Sequence, residues 1–483
     1  MCGLIAISGS SDAAYEVFYG LMNLQHRGQD GAGILAIAEN GQEHFHLQKG
    51  SGLIEHIFSD HSLHEINTPS AIGHSRYSTV GHNDPNGLQP FLDYNAGIGL
   101  GHNGNIVNFY SLRDVVLKQG HTLVAESDSA LILSLLADSL DGQTPNCQSL
   151  FSAIEVCMTK LVGSYSVIGL TRNGDVFGFR DPDGIRPLVL GKRKNANGKV
   201  VHGLASETVA LSFLGFSELE DVQPGEAVYI DRQGTLTRKI ISQHSHSPCM
   251  FEWVYFSRVE SEWESTSVYA ARFELGRLLA EQLKKAGVTA DIVIPIPETS
   301  RIAAIALAEC LGKPFRELLI KNRYINRTFI LDDQASRQEA IRRKLFPIAE
   351  EIAGKDCLIV DDSIVRGNTA SQIVKLVRSA GAKKITLVST CPPIVSPCYY
   401  GIDFPSPSEL ISYNRTPDEV VSATGADHVV FQNFEGLKKA IGKETLCLGC
   451  LTGTYPTDIT SASDFTSRRV QDRDAQIQIK NKC

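Results

Sequence analysis

From residue 4 to about 231 the chain runs in short apolar stretches, LIAISG, GAGILAIAEN, SAIGHSRYST, SYSVIGL, DVFGFRD and EAVYID, separated by Gly, Asn and Asp. Runs of this length bounded by turn-forming residues predict strands. Two segments break the pattern with apolar residues at helical spacing, DAAYEVFYGLMNLQ near the start and SDSALILSLLADSL at 127–140. The expected architecture of this half is mostly sheet, covered by helices.

Around residue 240 the polar stretch ISQHSHSP intervenes, and the pattern then alternates helix and strand. A helix from about 267 carries Val268, Ala271, Leu275, Leu279 and Leu283 on one face. Strands follow at DIVIPIP, FRELLI, CLIVDD and KITLVST, with helical segments RIAAIALAECLG and TASQIVKLVRSAG between them. A parallel sheet flanked by helices is the expected result. The predicted division is 2–240, 250–455 and a polar, mobile tail over 456–483.

Composition narrows the function. The 483 residues are 42% hydrophobic, enough for two or three cores, and the net charge of -8 comes from interspersed acids and bases. A nucleic-acid partner is therefore not expected. No apolar run approaches the ~20 residues needed to cross a bilayer, and the start lacks the basic region of a signal peptide. A cytoplasmic protein is expected. Eleven cysteines without a secretory signal fit reduced thiols better than a disulfide framework.

The most specific segment is LIVDDSIVRGNTA at 358–370, a strand, two acids, a small-residue loop and a helix start. At the carboxyl end of a parallel strand, Asp361 and Asp362 can accept hydrogen bonds from neighbouring ribose hydroxyls. Backbone N–H groups over Ser363, Arg366, Gly367, Asn368 and Thr369, with the helix dipole behind them, form a cradle for a phosphate. Any isolated acid pair after a strand could be only a turn and a cap, but the whole run suits a pentose 5-phosphate. It resembles the phosphoribosyl pyrophosphate (PRPP) motif of type I phosphoribosyltransferases.

That resemblance implies that VIPIPETS at 293–300 faces pyrophosphate and magnesium. One Mg²⁺ per subunit, held largely by PRPP oxygens, is expected near Thr299, Asp361 and Asp362. The basic segment between the motifs, KNRYINRTFILDDQASRQEAIRRKLF, reads either as a solvated face or as a loop that closes over pyrophosphate. Lys321, Arg323 and Tyr324 are its expected contacts.

At the other end, Cys2 follows Met1, and a second residue this small normally allows Met1 to be removed. Cys2 would then carry a free α-amine, with an ordinary pKa of about 8, able to act as base toward its own thiol. Cysteine at position 2 alone is weak evidence. Its companions are LQHRGQDGAG at 24, GHSRYSTVG at 73, GHNGNI at 101 and SDSALI at 127. Singly, Asn-Gly is a turn signal, Asp128 a helix cap and Arg76 a strand residue. Together their order resembles class II glutamine amidotransferases. The resemblance implies an oxyanion hole from the Asn103 amide and the Gly104 N–H, with Arg76 on the glutamine carboxylate and Asp128 on its ammonium group.

The two halves in one chain resemble the amidophosphoribosyltransferase family over roughly residues 2–455, a match strengthened by FRDPDGIRPLVLGKR and KNRYINRTF. This implies an N-terminal nucleophile hydrolase fold, a four-layer αββα sandwich, followed by an α/β type I phosphoribosyltransferase domain. It also implies a pentosyltransferase that makes 5-phosphoribosylamine from glutamine and PRPP, the committed step of purine synthesis. Ammonia would pass through an internal channel, with Tyr77 and Ile330 as candidate lining residues. Purine nucleotides would inhibit by feedback, and the chain would form a dimer or tetramer. Competing readings are a PRPP-binding regulator without catalysis and a glutaminase serving a partner synthase.

Cys447 and Cys450 form a C-x2-C pair, and Cys249 and Cys398 each end a Ser-Pro-Cys turn. Members of the resembled family hold a 4Fe-4S cluster on cysteines in these contexts, which implies such a cluster here. Zinc, or four merely neighbouring thiols, are the alternatives. Cys391 is a fifth candidate by proximity.

Overall fold

The structure is a computed structural model that describes residues 1–38, 44–59, 63, 66–77, 87–322, 345–404 and 406–468. Its first half holds two antiparallel sheets. The seven-stranded sheet runs, edge to edge, Glu218–Asp221, Val189–Lys194, Val200–Ala205, Gly3–Ser8, Ser70–Arg76, Gly31–Ala38 and His44–Ser51. The six-stranded sheet runs Leu236–Ile240, Glu226–Ile230, Val176–Arg180, Gly163–Thr171, Ile98–Ile106 and Phe91–Asp93.

Alternation along each strand builds the layers. In the first strand Leu4 and Ala6 join Ile72, Ile168, Leu170 and Leu204 in the core between the sheets. Ile5 and Ile7 point the other way, against Ala13, Val17 and Leu21 of the helix Ala13–Asn23. Both faces are buried, which is why the stretch reads as almost continuously apolar. The outer face of the second sheet is covered by Asp128–Leu140 and Cys147–Lys160 through Leu131, Leu135, Leu150, Ile154 and Phe177. The result is the αββα sandwich. Among the described residues, four helices beyond the expected pair lie in this half, the short Ile54–Ile57 and Thr208–Phe213 and the longer Phe109–Lys118 and Cys147–Lys160, so its helical share is larger than the sequence reading held.

The second half carries a four-stranded parallel sheet in the order Ile292–Pro295, Asp356–Asp361, Lys384–Ser389, His428–Phe431. Val268–Lys285 and Arg301–Leu311 pack on one face through Leu279, Leu283, Ala304 and Leu307, and Asn368–Ser379 covers the other through Ile373 and Val377. FRELLI does not join this sheet as expected. Phe315 makes one isolated parallel bridge to Val293, and only Leu319–Lys321 is a strand, paired antiparallel with Leu345–Pro347.

A separate apolar core spans both halves. Met1, Val107 and Ile185 pack with Met250, Phe251, Trp253, Ile394, Tyr400 and Ile402. The expectation of a mobile tail does not extend to residues 456–468. There Phe465 is 6% exposed, its ring 5.8 Å from that of Tyr110, and Arg468 pairs with Asp114 at 2.8 Å. No helix among the described residues is long and apolar enough to cross a membrane.

Candidate functional site

Cys2 sits where the two sheets meet, just before the strand Gly3–Ser8 and beside the end of Ser70–Arg76, with Gly3 opposite Ser75. Its backbone N–H donates to Oδ1 of Asn103 at 3.1 Å, and its thiol lies 4.0 Å from the carbonyl oxygen of Tyr77. Arg27, 1% exposed, donates Nε–H to the Cys2 carbonyl oxygen at 3.1 Å. Asn103 is also 1% exposed, and its Nδ2 is buried with no hydrogen-bond partner among the described residues. Because Oδ1 faces an N–H donor, the amide is oriented with Nδ2 free to donate elsewhere. A buried donor left unpaired costs about 1–3 kcal/mol, and Nδ2 is available to donate to a ligand oxygen.

Gly104 follows on the strand Ile98–Ile106 with φ +155°, and a Cβ there would fall 2.0 Å from the Ser164 carbonyl oxygen. Only glycine fits, which keeps the backbone beside Cys2 unobstructed. Asp128 opens the helix Asp128–Leu140, capped by the Ser127 hydroxyl on the Ala130 N–H. Burial pushes the Asp128 carboxyl up, but the His102 imidazole 3.7 Å away and the Ser129 N–H at 2.8 Å outweigh it and hold the group below its ordinary value. Asp128 is therefore an anion that can hold an ammonium group. Arg76 ends its strand half-buried, paired with Gly31, and its guanidinium lies against Gly87. The sheets thus bring Cys2, Arg76, Asn103, Gly104 and Asp128 to one end of the sandwich.

Behind them lie two histidines to which sequence reasoning gave no role, although GHSR and GHNG contain them. His74 is fully buried and pulled down to about 3 by burial, then by Arg76 and His102, so it is neutral. His102 meets the Ser129 hydroxyl at 3.1 Å.

In the second half, Asp361 and Asp362 stand at the carboxyl end of the strand Asp356–Asp361, each 9% exposed. Burial and mutual repulsion push Asp361 well up; burial likewise pushes Asp362 up to about 6, less because the Ser363 hydroxyl at 2.7 Å and Arg272 favour its anion. Two buried carboxylates that resist sharing full charge are suited to a cation or to hydroxyl donors. The loop then turns through Gly367, φ +78°, into the helix Asn368–Ser379, which has no capping side chain. Its first N–H groups are left for an anion. Ser363 is half-buried beside the acids, and Asn368 and Thr369 are exposed on the first turn. Arg366 pairs with Glu409 at 3.2 Å at the rim.

Thr299 lies half-buried in the turn after Ile292–Pro295, where the Pro297–Glu298 peptide is cis. Next to it is a cavity of about 100 Å³ lined by Pro297, Glu298, Arg301, Glu317 and Lys321. Lys321 thus reaches the same hollow as the expected pyrophosphate loop. Arg301, overlooked in the sequence, is held there by Glu298 at 2.7 Å and by Glu317. Arg323, Tyr324 and Ile330 lie outside the described residues.

The four cysteines converge. Cys249 bridges to Cys447 as adjacent strands do, the Cys450 carbonyl accepts from Val395 and Ser396 at 3.0 Å, and the Tyr400 N–H points at Cys398 Sγ at 3.4 Å. Cys249, Cys447 and Cys450 are 5%, 7% and 8% exposed, and Cys398 is half-buried. Burial pushes the Cys249 thiol up to about 11 and pushes Cys447 and Cys450 well above the ordinary thiol value. The fully buried Arg186 guanidinium lies beside Cys249, Cys398 and Cys447, a cation placed to offset thiolate charge. Among the described residues no three His, Cys, Asp or Glu side chains are spaced to hold one metal ion, and all ten described cysteines are unpaired.

Arg186 and Asp181 belong to FRDPDGIRP, whose work is structural. Asp181 accepts from the N–H groups of Ile185 and Arg186 at 3.0 and 3.3 Å. Arg186 Nε donates to the Tyr400 carbonyl at 2.9 Å, which ties the turn to the cysteine-bearing segment.

Comparison with known proteins agrees with this geometry. The glutamine amidotransferase domain family matches residues 74–212, and the phosphoribosyl transferase domain family matches 265–397. Amidophosphoribosyltransferase of Escherichia coli is 41% identical over 452 residues, 92% of this chain and 89% of that one. The Pasteurella multocida enzyme of the same name is 40% identical, covering 95% and 94%. Among solved structures, the Bacillus subtilis glutamine PRPP amidotransferase complexed with ADP and GMP superposes with TM-score 0.84 at 37% identity, covering 95% of this chain and 98% of that one. The chain belongs to the amidophosphoribosyltransferase family.

Proposed function

We infer that this chain is a glutamine-dependent amidophosphoribosyltransferase that converts PRPP, glutamine and water into 5-phosphoribosylamine, glutamate and pyrophosphate, the first step of purine biosynthesis. The observation that carries the residue assignment is the Asn103 amide, bound to the Cys2 N–H through Oδ1 and unpaired at Nδ2.

After Met1 is removed, the Cys2 amine takes the thiol proton and Sγ attacks the side-chain carbonyl of glutamine. The oxyanion is held by Asn103 Nδ2–H and the Gly104 N–H, while Arg76 and Asp128 hold the two ends of the amino acid. Collapse expels ammonia and leaves a thioester that water hydrolyses to glutamate. Ammonia travels inside the protein, past Tyr77, to C1 of PRPP and displaces pyrophosphate. Asp361 and Asp362 orient the ribose hydroxyls, the loop Ser363–Thr369 binds the 5-phosphate, and Lys321 meets the pyrophosphate, joined by Arg323 and Tyr324.

The donor set at Thr299, Asp361 and Asp362 suits Mg²⁺ taken up mainly through the oxygens of PRPP, because the protein supplies two acids and no closed cage. An ion held by Thr299, Asp361 and Asp362 would offset negative charge on the departing pyrophosphate. Cys249, Cys398, Cys447 and Cys450 would hold a 4Fe-4S cluster, one sulfur per iron, with the buried Arg186 cation beside three of them; a zinc ion on four thiolates is the alternative. We place the glutaminase domain at 2–240, the phosphoribosyltransferase domain at 250–455 and a C-terminal segment at 456–483. We further propose a cytoplasmic homo-oligomer inhibited by purine nucleotides, as the ADP- and GMP-bound relative suggests.

The test is PRPP-dependent formation of glutamate and pyrophosphate by anaerobically purified protein, with glutamine or ammonium as nitrogen source. Cys2→Ala should lose the glutamine reaction and keep the ammonium one. A wild-type protein that never consumes PRPP would overturn the assignment.

A further inference from the structure

We propose that Glu252, contributed by the phosphoribosyl half, is a positioning residue for the glutamine reaction, fixing Cys2 through Arg27. The inference rests on Cys2 being the nucleophile. Arg27 uses all three guanidinium nitrogens: Nε–H donates to the Cys2 carbonyl at 3.1 Å, Nη2 to Glu252 Oε1 at 2.9 Å, and Nη1 to Glu252 Oε2 at 3.0 Å and Glu207 Oε1 at 2.6 Å. A guanidinium docked on a carboxylate through two parallel bonds cannot rotate in its plane, so the direction of Nε–H is set by where Glu252 sits.

Glu252 is itself held on every side. It is 0% exposed, on the π-helical turn Glu252–Phe256. Oε2 accepts from the Ser257 hydroxyl at 3.1 Å, and Oε1 lies 3.3 Å from Arg186 Nη1. Arg272 braces the turn by donating to the carbonyls of Trp253 and Ser257 at 2.8 and 2.7 Å. A line of buried polar contacts therefore runs from the second half to the backbone of the nucleophile. Cys2 has two polar backbone anchors, Asn103 on its N–H and Arg27 on its carbonyl. Loss of one lets Sγ drift, and a misplacement of 1 Å at a reacting group costs on the order of a hundredfold.

A salt bridge that only glued the halves together would affect both nitrogen sources alike. A positioning role affects one. Glu252→Gln keeps the shape and removes the charge that docks Arg27. Its glutamine-dependent kcat should fall at least tenfold, while the glutamine KM and the ammonium-dependent kcat stay within twofold of wild type. Equal losses with both nitrogen sources, or an unchanged glutamine kcat, would overturn the proposal. Should Glu252→Gln not fold, Ser257→Ala loosens the same carboxylate without burying an unpaired charge. It should lower the glutamine kcat at least threefold under the same constraints, and the same two outcomes would overturn it. Cys2→Ala is assayed alongside: if it keeps the glutamine reaction, the nucleophile assignment fails, whereas loss there with a silent Glu252→Gln sinks only this inference.

Discussion

Asn103 carries two loads that substitution separates. Its Oδ1 accepts from the Cys2 N–H at 3.1 Å, a bond worth about 1 kcal/mol. Its Nδ2 is a buried, unpaired donor, and loss of a preorganised donor to a tetrahedral oxyanion costs about 2.7–4 kcal/mol, a factor of 10²–10³ in kcat. Asn103→Ala should therefore cut the glutamine-dependent kcat at least a hundredfold. The glutamine KM should move only a few-fold, because the donor acts mainly when charge has developed on oxygen. Ammonium-dependent synthesis should persist, since ammonia enters that reaction without passing the thiol. Asn103→Asp restores an acceptor for Cys2 but presents a carboxylate where the oxyanion forms, so it should recover nothing. Steady-state assays with both nitrogen sources decide the matter. An Asn103→Ala enzyme that kept more than about a tenth of the glutamine kcat, or an Asn103→Asp enzyme near wild type, would refute the oxyanion assignment.

Three further outcomes are expected. Asp362 rises from 3.8 unfolded to about 6 folded, so the folded state gains protons relative to the unfolded one, and stability falls as pH climbs between those values. Ligand-free Asp362→Asn should then unfold at a higher temperature than wild type at pH 7.5, with the gap closing toward pH 4; a pH-independent gap would contradict it. Phe465→Ala should lower stability by roughly 3 kcal/mol in thermal scans, because the ring is buried against Tyr110, and no change would mean the segment does not pack there. Met1 is 2% exposed in the core shared by the two halves, so methionine aminopeptidase should release it from denatured unprocessed chain and not from the native protein. Equal release from both, read by mass spectrometry, would refute that burial.

The chemistry was legible where it is local. A strand, two acids, a glycine and a helix start define an anion cradle within thirteen residues, and 358–370 folds as that sequence predicts. Cys2, Asn103-Gly104 and Asp128 each lie in a short motif, and the fold brings those motifs to one end of the sandwich. The residues that join the sites were not legible. Arg27, Glu252 and Arg272 are ordinary charged residues in sequence, and only the meeting of segments 225 residues apart turns two of them into a buried pair. Helix Phe109–Lys118 escaped because Val115 and Leu117 are 50% and 44% exposed, which blurs its apolar stripe; Cys147–Lys160 has a regular stripe, and its periodicity could have been read. FRELLI misled because an apolar run does not say which neighbour it pairs with. The tail misled because one buried ring, Phe465, anchors a segment whose composition is otherwise that of a free end. In each case local pattern defined the piece, and tertiary contact, invisible in a single sequence, decided its place.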